Sequence, residues 1–233
     1  MTPLLFKELG EMDYLEALAL QERLVGTKQR EGLADILLLV QHPHVFTVGR
    51  GGEVSNVLSP GEVPVYRASR GGDVTYHGPG QLVVYPLVDL RSKLRKDVHR
   101  YLRNIEMAAI RTLKGFGLEG ERRPPWTGVW IAERKITSVG IAVRRGITYH
   151  GLALNVNTDL TYFQRIIPCG LTWAEMTSMQ RELGRELSMA EVKEAFVRHF
   201  ARIFRYAVLR ELCQEDILIG SRSGPREVPT TCA

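Results

Sequence analysis

Two residues could carry covalent chemistry. Cys169 sits in Ile166-Ile167-Pro168-Cys169-Gly170, between a residue that fixes the backbone and one that lets another group approach it closely. A nucleophile on such a loop can meet a substrate carbonyl, although a cysteine among apolar residues more often simply packs. A free thiol titrates near ~8.5 and only the thiolate reacts, so activation needs a base or a cation nearby. Lys135 is the candidate: it begins a strand after Glu133-Arg134, so its amine can point into a cleft from a fixed backbone position. A neutral amine there takes the thiol proton; an ammonium stabilises the thiolate. A lysine in a hairpin turn is ordinarily solvated, and that reading stands beside this one.

The stretch Arg70-Gly71-Gly72-Asp73-Val74-Thr75-Tyr76-His77-Gly78-Pro79-Gly80-Gln81 has glycines that let backbone N–H groups approach an oxygen-bearing ligand, and an arginine as anchor. It lacks the GK[ST] ending of a P-loop and the GxGxxG of a dinucleotide fold, and two tight turns around a strand would also account for it. His77 and His150 each stand in a Tyr-His-Gly triplet and either line a cleft or satisfy a core hydrogen bond. His42-Pro43-His44 lacks a third ligand for zinc, and His199 belongs to a helix face. No G-x-S-x-G elbow is present.

These residues need elements to hold them. Leu4–Leu9, 34–40, Val45–Val48, Val63–Arg67, Asp73–Tyr76 and Gln81–Leu87 read as strands, with 49–62 a glycine-rich loop. Residues 12–25 read as a helix with Met12, Leu15, Leu18 and Val25 near one face. Asp97 caps a helix running to about Lys114, its stripe being Val98, Tyr101, Leu102, Ile105, Ala109 and Leu113, stopped by Gly115 and Gly117. Segments 128–132 and 136–143 flank Glu133-Arg134-Lys135 as a hairpin, and 147–156 is a further strand. Asp159 caps a short helix, and Ser188-Met189-Ala190-Glu191 is a capping box opening a helix with Val192, Phe196, His199, Ile203 and Phe204. The fold class expected is α/β (α+β): one domain over 1–219 with a mixed, mostly antiparallel sheet flanked by helices, then a loose tail at 220–233.

Length and composition fit that reading. A chain of 233 residues, 44% hydrophobic and 24% charged, can build a real core. Its apolar runs fall far short of the ~18 residues of a membrane span. The net charge of +5 is concentrated: residues 91–123 hold ten Lys or Arg against four acids. Such a face suits an acidic partner, protein or nucleic acid, or is a solvated surface; without interleaved aromatics, nucleic acid is the weaker reading. The three cysteines, Cys169, Cys213 (core) and Cys232 (tail), form no disulfide framework or zinc knuckle. With no signal segment visible, a cytoplasmic location is expected.

Taken together, RGGDVTYHGPGQLVVYPLVDL (70–90), TGVW (127–130), KITSVGIAVRRGITYHGLALNVNTDL (135–160), IIPCG (166–170), Thr177-Ser178-Met179 and LVQHPHVFTVGR (39–50) closely resemble the octanoyltransferases of lipoate biosynthesis. The resemblance implies a fold like the catalytic domain of biotin and lipoate protein ligases. It implies transfer of octanoyl from the phosphopantetheine of acyl carrier protein to an enzyme cysteine. A lysine of a lipoyl domain would then accept it, on the glycine-cleavage H protein or on 2-oxo acid dehydrogenase complexes. No metal, ATP, nucleic acid or membrane is implied. The nucleophile maps to Cys169 and the lysine that tunes it to Lys135. Substrate contacts map to Arg70, Gly71, Gly72, Asp73, Val74, Thr75, Tyr76 and His77, to Ser138, Val139 and Gly140, and to Gly151, Leu152 and Ala153. Backbone N–H groups near Gly71-Gly72 or Gly170 are the candidate oxyanion donors. The competing scheme is an ATP-dependent lipoate–protein ligase on the same scaffold, which has no use for a nucleophilic thiol.

Overall fold

Asp and Ser side chains start the helices. Asp13, Asp89, Asp97, Ser178 and Ser188 each accept a backbone N–H at the N-terminus of α1 (Tyr14–Glu31), α2 (Leu90–Lys93), α3 (Val98–Gly115), α4 (Met179–Leu183) and α5 (Met189–Ile203). The computed structural model describes residues 3–170 and 173–212. Cys213, Cys232 and the expected boundary at 219/220 lie outside the described residues.

The strands are β1 (Leu4–Glu11), β2 (Asp35–Gln41), β3 (Val45–Val48), β4 (Val65–Arg67), β5 (Val74–His77), β6 (Gln81–Leu87), β7 (Glu121–Arg123), β8 (Trp126–Ile131), β9 (Arg134–Arg144), β10 (Ile147–Asn155), β11 (Glu175–Met176) and β12 (Leu209–Glu211). The large sheet runs β12-β1-β2-β6-β10-β9-β8-β7. It is parallel at β12-β1-β2 and antiparallel from β2 to β7. β11 takes up the edge of β9 beyond the end of β10, pairing Glu175 with Arg134 and Met176 with Lys135. A small sheet, β4-β3-β5, stands apart. This is the mixed, mostly antiparallel α/β domain that the sequence pattern implies.

One face of the large sheet packs on α3 and α5, where Tyr101, Ile105, Leu113, Phe196 and Phe200 meet Leu37, Val84, Leu152 and Leu154. The other packs on α1, through Ala17, Leu20, Leu24 and Val25. A third core, of Phe46, Val74, Tyr76, Phe163 and Ile166, backs the small sheet. Among the described residues no helix is long and apolar enough to cross a membrane.

Several expectations are corrected. α1 continues to Glu31 and ends on Gly32 at φ +69°. Of its expected stripe only Val25 is buried, and Leu15 is 46% exposed. The real buried face carries Gln21 and Lys28, polar residues that hide its periodicity. The β8–β9 turn is Ala132-Glu133, so Lys135 stands inside β9 and is 3% exposed. Val63 precedes the strand that begins at Val65. The basic stretch 91–123 lies on and around α3, running from α2 into β7, and Glu106 engages both Arg103 and Arg122.

Candidate functional site

The glycine-rich loop ahead of β5 is held by its own arginine. Buried Arg70 donates from Nη2 to Thr47 O and Oγ1, each at 2.7 Å, and from Nη1 to Asp73 O at 2.8 Å and Gly71 O at 3.1 Å. A guanidinium donating to three main-chain oxygens fixes the loop's curvature. Gly71 N–H donates to Ile141 O, laying the loop across β9. A side chain at Gly140 would stand 2.8 Å from Gly71 O and 3.0 Å from Arg70 Cδ, so the landing place must be glycine.

Asp73 joins this loop to the segment bearing Cys169. Its Oδ2 accepts Asn56 Nδ2–H at 2.9 Å, and Asn56 O accepts Ile167 N–H at 2.7 Å. The 3₁₀ turn Pro168–Gly170 follows. Gly170 has φ +67°, and a side chain on it would meet Asp73 Oδ2 at 2.7 Å. The backbone of Cys169 therefore lies beside Asp73. A few residues on, β11 pairs alongside Lys135, and Thr177 N–H donates to Lys135 O. The turn bearing Cys169 thus comes a few residues before β11, the strand that pairs beside Lys135.

Behind the loop, a cavity of about 20 Å³ is lined by Tyr14, Arg70, His77, Val83, Tyr85, Gly140, His150, Gly151 and Leu152. It brings together expected residues from all three substrate-contact segments. The neighbours of each fall elsewhere. Val74 and Tyr76 point into the third core, where the Tyr76 hydroxyl meets His44 Nδ1 at 2.7 Å. Ala153 packs in the α1-side core. Ser138 and Val139 are half-buried on β9, and buried Thr75 faces Thr47 across the small sheet. Of the expected oxyanion donors, Gly71 and Gly170 already give their N–H groups to Ile141 O and Ile167 O.

Arg70 is the charged group of the cavity wall, which is otherwise aromatic, apolar and glycine with two buried histidines. His77 Nδ1 donates to Gln81 Oε1 at 2.8 Å, because the Gln81 amide nitrogen is itself donating to Tyr76 O and Asn155 Oδ1. Burial, with the charges of His42 and Arg70, pulls the His77 pKa down to about 3. Burial, with Arg70 and Arg50, does the same to His150, which also falls to about 3. His150 Nε2 lies 2.9 Å from Ser69 Oγ, and its N–H donates to Gln21 Oε1 at 2.8 Å. Its φ of +55°, inside a strand, is a strained conformation for a residue with a side chain. His42 donates to Met12 O and accepts from the Tyr85 hydroxyl, so it serves structure. The buried Tyr14 hydroxyl has no hydrogen-bond partner among the described residues, and burial raises its pKa to about 12. His199 is half-buried on α5, away from this site.

Sequence reasoning missed Tyr14, Val83, Tyr85, Gln21 and Ser69. Gln21 and Tyr14 had one available signal: placed on α1's apolar face, they require partners. Also missed was an aromatic cluster beside Lys135. Trp173 stacks on Trp130 and meets Trp126 edge-on, with the Arg123 guanidinium 5.2–6.0 Å from all three ring centres. Lys135 Nζ lies 5.5 Å from the Trp130 ring centre. Among the described residues no group of three or more His, Cys, Asp or Glu could hold a metal ion.

Residues 13–201 match the lipoyl protein ligase A/B catalytic domain family. The chain is 49% identical to an octanoyltransferase of Solibacter usitatus over 209 residues, covering 87% of this chain and 94% of that one. The bipartite lipoate protein ligase of Thermoplasma acidophilum superposes with a TM-score of 0.72 at 18% identity, over 94% of this chain and 91% of the other. The biotin protein ligase of Aquifex aeolicus gives 0.51 at 14%, over 88% and 70%. The solved structures show a shared fold; the sequence identity is of another order, and by it the chain belongs to the octanoyltransferase family, built on the lipoyl protein ligase A/B catalytic domain.

Proposed function

We propose that this protein transfers an octanoyl group from octanoyl-acyl carrier protein to a lysine of lipoyl domains, through a thioester on Cys169. The observation that carries this reading is the junction at Asp73, which ties the Cys169 turn to the Arg70 loop while the next strand pairs beside Lys135. The near-half identity to an octanoyltransferase supports it.

The Cys169 thiolate attacks the thioester carbonyl of the donor. The tetrahedral oxyanion so formed collapses, reforming the carbonyl as the bond to the phosphopantetheine sulfur breaks, and that sulfur leaves as the thiol after taking a proton. The acceptor lysine, as the free amine, then attacks the Cys169 thioester. An amide forms, the carbon–sulfur bond breaks, and the amine's proton returns to the thiol. Lys135 holds the charge balance of both halves: its ammonium favours the thiolate, and its amine carries the proton between steps. Thioester and thiolate exchange like for like, so the first step needs no external energy source. Val83 and Leu152 give the cavity wall apolar surface, but at about 20 Å³ the cavity holds a group the size of a water, so an eight-carbon chain enters only where these walls part, each buried CH₂ then contributing about 0.8 kcal/mol. Acceptors of this chemistry are lipoyl domains of 2-oxo acid dehydrogenase complexes and the glycine-cleavage H protein. Such transfer belongs in the cytoplasm.

Intact mass after incubation with octanoyl-acyl carrier protein, without ATP, tests this. One added octanoyl group is expected, absent in Cys169→Ser and discharged by a lipoyl domain. Lipoyl-domain modification only when ATP and magnesium are supplied would replace this reading with a ligase.

A further inference from the structure

Lys135 owes its place to what stands opposite it on β8. Val129 faces Thr137 while Trp130 faces Lys135, so Ile136 is one extra residue on β9. Such a bulge re-aims the neighbouring side chains. The end of the Lys135 chain lies where a side chain on Gly128 would be: a Cβ there would stand 2.8 Å from Lys135 Cε and 3.4 Å from Nζ. Gly128 also has φ +136°, open to glycine alone.

The Gly128 peptide is anchored from another element. Glu106 on α3 is fully buried, and its Oε1 accepts Gly128 N–H at 2.9 Å. Its Oε2 meets Arg122 Nε at 3.0 Å and Arg103 Nη1 at 2.9 Å, and Arg122 also donates to Arg103 O. A buried carboxylate holding a strand N–H, and held by two guanidiniums, is a stiff anchor. It ties the slot for Lys135 to α3, whose buried stripe packs on the large sheet.

We propose that Gly128 and Glu106 are positioning residues for Lys135: the glycine leaves the slot its ammonium end occupies, and the buried carboxylate fixes that glycine's backbone. This rests on the role given above to Lys135 beside Cys169. Neither residue touches the reacting atoms.

The test is the pH dependence of Cys169 alkylation by iodoacetamide, read on the Cys169 peptide by mass. It is run on Lys135→Ala, Gly128→Ala, Glu106→Leu and the Glu106→Leu/Lys135→Ala pair, each below its melting temperature. Lys135→Ala is expected to raise the midpoint by about one pH unit through loss of the cation. Gly128→Ala and Glu106→Leu are expected to raise it part or all of that way, and the pair no further than Lys135→Ala alone. Removing a negative charge would by itself lower the midpoint, so a rise in Glu106→Leu reports displacement of the lysine. Gly128→Ala also strains against Thr137 O and can fail to fold. Glu106→Leu then carries the test, since it removes the acceptor of Gly128 N–H and the partly exposed Arg103 and Arg122 can turn to water. An unmoved midpoint in Glu106→Leu, with Lys135→Ala moved, overturns the proposal, as does a further rise in the pair. An unmoved midpoint in Lys135→Ala overturns the assigned role of Lys135 itself, and this inference with it.

Discussion

The two faces of the large sheet are built on different terms. The face under α3 and α5 is mainly hydrocarbon and aromatic, with Glu106 as a buried charge where it meets β8: Ile105, Ala109, Leu113, Phe196 and Phe200 bury themselves against Leu37, Val84 and Leu154. The face under α1 also buries Gln21, Lys28, His42, His77 and His150, and the cavity opens there. Each of these polar groups needs a specific partner, because an unpaired one costs more than a lost contact. His150 relies on Gln21 and Ser69, Lys28 on Asp35, and Asp35 in turn accepts from the Tyr206 hydroxyl at 2.6 Å. The first face holds the chain together. The second holds particular groups in particular places, and gives up packing regularity to do so.

Perturbations should separate the two faces. Phe200→Ala, on the apolar face, is expected to cost about 3–5 kcal/mol in urea unfolding while kcat of the folded protein stays unchanged; a large fall in kcat would break the division. Acid should act through the other face. His77 and His150 titrate near 3 when folded and near 6.5 when unfolded. The unfolded chain therefore binds more protons between those values. The stability they contribute is complete above about pH 6.5 and falls as pH drops toward 3, by roughly 1–2 kcal/mol each at pH 5. Denaturation at pH 7 and pH 5 measures this, and His150→Asn, whose side chain tolerates the left-handed backbone, should flatten the slope. Gln21→Leu should cost about 1–2 kcal/mol by stranding His150 N–H, and should lower octanoyl transfer beyond its effect on stability. Tyr14→Phe is the smallest change. It removes a buried hydroxyl without a partner among the described residues, so stability should move by no more than about 0.5 kcal/mol.

The same contrast explains what could be read from the sequence. On the apolar face the stripe of α3 reads directly, since Tyr101, Ile105, Ala109 and Leu113 recur at helical spacing and are buried. Capping residues read equally well, because Asp97, Asp159 and Ser188 act through local bonds. On the α1 face, periodicity misleads. Gln21 and Lys28 lie inward and Leu15 outward, for reasons that reside in β10 and β2, distant in the chain. Lys135 was hidden by a turn one residue shorter than its charged neighbours suggest. The loop 70–77 and the glycines at 140 and 151 are legible as a pattern. Which of those residues line the cavity is not, because Val74 and Tyr76 alternate away from it on β5.

The chain has three tryptophans, and the cluster under Arg123 contains all of them. Tryptophan emission therefore has a single address, next to Lys135 and, through Trp173, four residues beyond Cys169. Trp130 is fully buried and Trp173 is 47% exposed, so one spectrum carries a shielded and a quenchable component. The acylation proposed for Cys169 is therefore expected to change this emission, which can be followed optically, in real time, with the unlabelled protein as its own gauge.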